Sequence, residues 1–188
     1  MKLDPPVEAF LGTAHEDFET IRRDGDAVRM LAFPREPAEG YPFAYEAVFS
    51  DIEHLVRSAD GTVRVSSDPV ACTIRFPEDY LHATDRSLIY RVVRMSSPIF
   101  HPNVHSGAGT ADSTGGLCLG TGFRPGTRLR ALVFQLHRII ASRSFATESP
   151  LDLSAAEYYV AHTDQIRGLK ARPLWRARLA TNIKVEQA

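Results

Sequence analysis

The 188-residue sequence predicts an α+β fold: an N-terminal helix, an antiparallel β-meander, an irregular segment carrying the candidate site, then C-terminal helices. Three observations point there. Residues 45–95 hold β-branched and alternating runs separated by turn chemistry, whereas residues 14–32 and 127–166 carry helical spacing. Residues 98–127 carry no period at all.

The elements follow in order. AHEDFETIRRDGDAVRMLA (14–32) spaces Phe18, Ile21, Val28 and Leu31 as a helix in two pieces, with Gly25 the weak point between them. Residues 1–13 precede it as a loose N-terminal arm. FPREPAEGYP (33–42) is punctuated by proline and reads as a loop. YEAVFSDIEHLVR (45–57), PVACTIRF (69–76) and LIYRVVRM (88–95) read as strands, the second with Val70, Cys72, Ile74 and Phe76 on one face. ADGT (59–62) and FPEDYLHATDRS (76–87) supply the connections. TRLRALVFQLHRIIASR (127–143) puts Leu129, Leu132, Val133, Leu136, Ile139 and Ile140 on one helical stripe. SAAE (154–157) reads as a capping box opening the helix SAAEYYVAHTDQI. Residues 14–167 then form one domain, and 168–188 a C-terminal extension.

Composition narrows the function. The chain is 44% hydrophobic with a net charge of −1 and has no basic face, so nucleic acid is not an implied partner. MKLDPPVEAFLG lacks the apolar run of a signal peptide, and no segment is apolar enough to span a membrane, so a cytoplasmic protein is expected. Two distant cysteines, Cys72 and Cys118, make no disulfide framework, and seven scattered histidines lack ligand spacing; no metal or organic cofactor is expected. Of 22 basic residues only Lys2, Lys170 and Lys184 are lysines.

The informative stretch is PIFHPNVHSGAGTADSTGGLCLGTGFRPGT (98–127), which holds seven glycines between firm secondary structure. A long irregular segment so placed points to function. Cys118 lies within it in GGLCLG, and FHPNV (100–104) lies upstream. Cys72, on the apolar face of a strand, reads as core. Cys118 reads either as an inert small apolar side chain or as a nucleophile, and glycines beside a nucleophile would let a partner's tail approach the backbone.

The order FP-x-D-Y (76–80), P-x-F-HPN-V (98–104), G-x-CL (116–119), Phe123-x-Pro125, an amphipathic helix, and S-PLD-x-x-AA-x-YY (149–159) resembles the ubiquitin-conjugating enzymes over residues 40–165. The resemblance implies a UBC-like catalytic domain that carries a ubiquitin-like protein as a thioester on Cys118 and passes it to an amine. It implies Asn103 as the donor to the oxyanion, with His101 and Pro102 holding its loop. Ser149 stands where the family often has an aspartate that orients the incoming amine; it also reads as a turn residue, with Glu148 beside it. Gly116, Leu117 and Leu119 would border the modifier's tail. Phe123 and Pro125 match the loop that meets ligases, and Arg22 and Arg23 fall on the helix that meets the activating enzyme. Packing for Phe123 and a solvated face for the arginines are the plain alternatives. The implied partners are a ubiquitin-like protein, an activating enzyme of the ubiquitin-activating type, and a ligase or acceptor protein.

The resemblance is to divergent members and implies a bacterial protein of the kind found in ubiquitin-like conjugation operons, several of them linked to phage defence; three departures from the family pattern carry the divergence. The loop from Asn103 to Cys118 is longer than usual, Leu81 replaces a proline, and Phe123 replaces a tryptophan. Scarcity of lysine between residues 3 and 169 fits either arginine-favouring composition or protection of an amine-reactive thioester. Two other functional classes remain open: a non-catalytic UBC-like module that recruits a ubiquitin-like protein or its activating enzyme, and a cysteine hydrolase with His101 or His105 as base.

Overall fold

A computed structural model describes residues 3–33, 40–82, 91–105, 115–120 and 123–175. It is an α+β fold in the predicted order: an N-terminal helix, an antiparallel sheet, then C-terminal helices.

Helix α1 spans Pro5–Asp24 and buries Val7, Leu11, Ala14, Phe18 and Ile21 along one stripe. The expected loose arm is therefore helix from residue 5 onward. Proline at the first two helical positions starts a helix, since those N–H groups have no intrahelical partner to lose. The helix stops at Gly25, where a Cβ would lie 2.6 Å from the Ile21 carbonyl oxygen and 3.0 Å from that of Val28. No larger residue fits where the chain folds back so closely.

The expected second helical piece is strand β1, Val28–Phe33. Val28 and Leu31 suit a helix, but Val28 and Met30 are buried while Arg29 and Leu31 are exposed, the period of a strand. Its partner decides the matter: β1 pairs antiparallel with β2 (Ala44–Phe49), from Val28↔Phe49 to Phe33↔Ala44. The run 45–57 breaks at Asp51, whose φ of 58° turns the chain, and resumes as β3 (His54–Arg57). β3 forms its own hairpin with β4 (Val63–Ser66). β5 (Val70–Arg75) and β6 (Val93–Met95) complete a four-stranded sheet in the order β1-β2-β5-β6. Of the expected third strand, residues 88–90 lie outside the described residues.

Helix α2, Leu129–Ile140, buries all six residues of its predicted stripe. Its N-terminus is capped from α1: the Asp17 carboxylate accepts from Arg130 N at 3.2 Å and from Arg128 Nη2 at 2.6 Å. Helix α3 spans Leu153–Ala161, and its cap is Asp152 in place of the expected Ser154. Asp152 Oδ1 accepts from Ala155 N at 3.0 Å and from Ser154 Oγ at 2.6 Å, so the serine supports the cap. The helix breaks at His162, and α4 follows at Thr163–Gly168.

Residues 169–175 of the expected extension are part of the fold. Lys170 O accepts from Glu53 N, Arg172 N donates to Asp51 O, and Leu174 O accepts from Asp26 N. Leu169 and Leu174 are buried, and Arg130 lies over the Trp175 ring. Residues 176–188 lie outside the described residues.

The main core lies between α1, the inner face of the sheet and α2. A smaller cluster of Leu55, Phe100, Ala155, Tyr159, Ile166 and Leu169 sits beneath α3 and α4. Among the described residues, no helix is long and apolar enough to cross a membrane, and no three His, Cys, Asp or Glu residues are grouped to hold a metal.

Candidate active site

The irregular segment is organised by short backbone pairings. Gly116 bridges Arg94 of β6, and Leu117 bridges Val104. Met95 N donates to Gly115 O and His105 N to Gly116 O. Gly115 has a φ of +62°, and a Cβ there would come within 2.8 Å of the Met95 carbonyl oxygen. The requirement for glycine at 115 is therefore internal, where the sequence suggested room for a partner. Gly120 is the open one: its φ is +87° and a Cβ would meet nothing within 4 Å.

Asn103 and Cys118 face each other across this pairing. Cys118 N donates to Asn103 O at 2.8 Å, and Asn103 Nδ2 donates to Cys118 O at 3.0 Å. Asn103 Oδ1 accepts from Ala146 N at 2.8 Å. A second side-chain amide works one residue on: Gln135 Nε2, from α2, reaches Leu119 O at 3.4 Å and Ser144 Oγ at 3.1 Å. The backbone at Cys118 and Leu119 is thus tied by two amides to the loop following α2. Cys118 itself is half-buried.

Each remaining site residue has a distinct place. His101 is sealed, with 0% exposure; its Nδ1 accepts from Asn103 N at 3.0 Å, and its ring meets Tyr159 edge to face at 5.2 Å. Burial pushes its pKa down to about 3, so the ring is neutral. A sealed imidazole with its acceptor nitrogen occupied is no base for a substrate, which removes His101 from the hydrolase reading. Pro102 O accepts from Leu151 N at 2.8 Å, docking the PLD segment onto the HPN turn. Ser149 and Glu148 are exposed at that junction. Leu117 is a core residue at 0% exposure, so its side chain cannot border a tail; Leu119 is also buried yet lines a cavity. Arg22 and Arg23 are exposed on α1 and paired with Glu19 and Asp24. His105 is exposed, and residues 106–114 of the long loop lie outside the described residues.

The cavity holds about 370 Å³ and begins one residue beyond Cys118. Leu119, Phe123, Ala131 and Leu132 supply its apolar lining, and Thr127, Gln135 and Ser144 its polar groups. Pro125 is exposed at the tip of the neighbouring turn. Sequence reasoning missed Gln135, Ser144 and Ala146. Gln135 falls on the polar side of an amphipathic helix, where nothing distinguishes it, and Ala146 acts only through its backbone.

This arrangement presents one partly accessible thiol beside a groove, with a carboxamide at its backbone and no buried charge among these contacts. Compared with known proteins, the chain matches no protein-family model and no curated protein.

Proposed function

We propose that the chain is an acyl transferase of the ubiquitin-conjugating type, acting in the cytoplasm. The Cys118 thiolate attacks the thioester carbonyl at the end of a ubiquitin-like protein held on its activating enzyme. A new C–S bond forms and the activating enzyme's thiolate leaves. An acceptor amine then attacks the Cys118 thioester; the C–N bond forms, the C–S bond breaks, and the amine's proton passes through solvent to the departing sulfur, giving an amide and the free thiol. Asn103 Nδ2 already donates to the carbonyl of Cys118 and carries a second N–H for the oxyanion of that step. His101 and Pro102 hold the Asn103 turn, and exposed Ser149 borders the approach of the amine.

The observation that carries this reading is a half-buried cysteine whose own backbone carbonyl accepts from the Asn103 carboxamide, with an open cavity lined from the next residue onward. The non-catalytic module has one observation in its favour: both ends of the Asn103 amide are engaged by backbone, as in a purely structural clip.

Incubation with the cognate activating enzyme, ubiquitin-like protein and ATP separates the two. The transferase gives an adduct cleaved by reducing agent, which Cys118→Ser converts to a reductant-resistant ester. In the same assay Asn103→Ala is charged yet discharges to free lysine at least about 100-fold more slowly. An adduct that survives Cys118→Ala refutes the assignment, and no adduct with every partner verified favours the module.

A further inference from the structure

Arg57, the last residue of β3, is exposed, yet its guanidinium pairs with no carboxylate among the described residues. Its Cζ lies 4.3 Å from the centroid of the Phe100 ring, and its Nη1 donates to Ser154 Oγ at 2.9 Å. An exposed guanidinium is well solvated without either contact, and holding its long side chain in one place costs rotamer entropy. What the contacts join is therefore the point of interest.

They join the two ends of the turn that leads into Asn103. On one side is Phe100, immediately before His101. Its N donates to Leu55 O of β3 at 2.7 Å, the Tyr158 ring of α3 meets its ring edge to face at 5.7 Å, and Arg57 covers it. On the other side, Pro102 O accepts from Leu151 N at 2.8 Å and from Asp152 N at 3.3 Å. Asp152 caps α3, and its Oδ1 accepts at 2.6 Å from Ser154 Oγ, the hydroxyl that Arg57 holds. The guanidinium thus brackets His101 and Pro102, from Phe100 to the Ser154–Asp152–Pro102 chain. Asn103 is the next residue, with its Nδ2 3.0 Å from Cys118 O.

We propose that Arg57 is a positioning residue for transfer of the acyl group to the amine: it closes the turn at His101 and Pro102 and so holds the Asn103 carboxamide where the oxyanion forms. This rests on Cys118 being the acylated thiol. Arg57 is not among the residues that line the cavity, so uptake of the acyl group should not depend on it.

The test uses the full chain and the mercaptoethanesulfonate thioester of N-acetyl-glycylglycine. The Cys118 thiolate attacks the terminal glycine carbonyl, the new C–S bond forms, and mercaptoethanesulfonate leaves as its thiolate. Excess probe is removed, free lysine is added, and intact mass follows the discharge. In that step a C–N bond forms, the C–S bond breaks, and the amine's proton passes through solvent to the sulfur. Arg57→Ala should slow discharge about three- to tenfold, the loss expected for one exposed cation–π contact and one hydrogen bond, with uptake unchanged. Ser154→Ala leaves the Asp152 cap in place and should slow discharge less, and the double variant should be about as slow as Arg57→Ala, because both act in one network. The side-chain amide resonances of Asn103 give a readout that general loosening does not mimic. Arg57→Ala should move them and leave in place those of Gln135, which bonds the next carbonyl from α2. Discharge within about twofold of wild type, effects of the two substitutions that multiply, or shifts at Gln135 as large as those at Asn103 each overturn the proposal, while an acylated Cys118 keeps the transferase reading. No uptake, or uptake that survives Cys118→Ala, sinks that reading and the role of Arg57 in discharge with it.

Discussion

The two cysteines sit in opposite kinds of structure. Cys72 lies in the middle of β5, between Ala47 of β2 and Met95 of β6, with 0% exposure. Desolvation pushes its thiol up to about 12. Cys118 lies in a segment with no regular strand, held by single bridges and by the Asn103 and Gln135 amides, and it is half-buried. A regular sheet satisfies its backbone by surrounding it, and that surrounding seals the side chains on the inner face. At Cys118 side-chain amides do part of that work, so the backbone is fixed while the residue stays only half-buried. The difference between a packing thiol and a usable one is therefore set by how the backbone around it is satisfied.

The largest effect this comparison predicts is in reactivity. At pH 8 a thiol with a pKa near 12 is thiolate to only about one part in 10⁴, and Cys72 is closed to solvent as well. Iodoacetamide applied to the native protein should therefore label Cys118 at least about 10³-fold faster than Cys72. Peptide mapping by mass spectrometry reads the ratio. Comparable labelling of the two would break the comparison outright.

Stability should run the other way. Cys72→Ser places a hydroxyl in the sealed core with no partner prepared for it and should cost about 1–3 kcal/mol. Cys118→Ser changes a half-exposed atom and should cost less than about 0.5 kcal/mol. Urea unfolding of both variants, read as midpoints with unchanged slopes, checks the pair. A larger loss at Cys118 would mean that its sulfur is part of the packing and not of a site.

Legibility in the sequence follows the same divide. The α2 stripe and the alternation of β5 were visible because burial imposes a period, and a period survives in one dimension. β1 was misread because Val28 and Leu31 stand at helical spacing, and only pairing with β2 puts them on opposite faces of a strand. Residues 5–13, expected as a loose arm, are helix because two prolines suit the first turn, where no intrahelical N–H partner is lost. At the site, Cys118 stood out by residue type and its glycine setting, and Asn103 only through the family resemblance. Gln135 did not, since its role depends on a carbonyl sixteen positions away. Neither did Ala146, which contributes only an N–H. The capping carboxylate Asp17 was hidden too, because it serves a helix that begins more than a hundred residues later.

The finest distinction lies between neighbours. His101 belongs to the same segment as Cys118, yet it is as sealed as Cys72, so the boundary between closed and open runs through the site itself. Its folded pKa, about 3, is below the ordinary histidine value near 6.5. Above that ordinary value neither state binds the proton, and the full stability is present. As pH falls toward 3, the unfolded chain takes up a proton that the native ring refuses, and stability is lost by up to about 1.4 kcal/mol per pH unit. His54 and His137 are shifted downward by burial as well, so the wild-type loss is a sum. The contribution of His101 is the difference from His101→Gln, whose unfolding free energy should fall less steeply between pH 6.5 and 5, by about 1–2 kcal/mol over that interval. If that variant does not fold, the imidazole nitrogen shifts of the wild type give the same answer, because a sealed ring shows no titration above pH 4.5. A ring that titrates near 6.5, or a slope unchanged by the substitution, would put His101 on the open side of the boundary and restore it as a candidate base for Cys118.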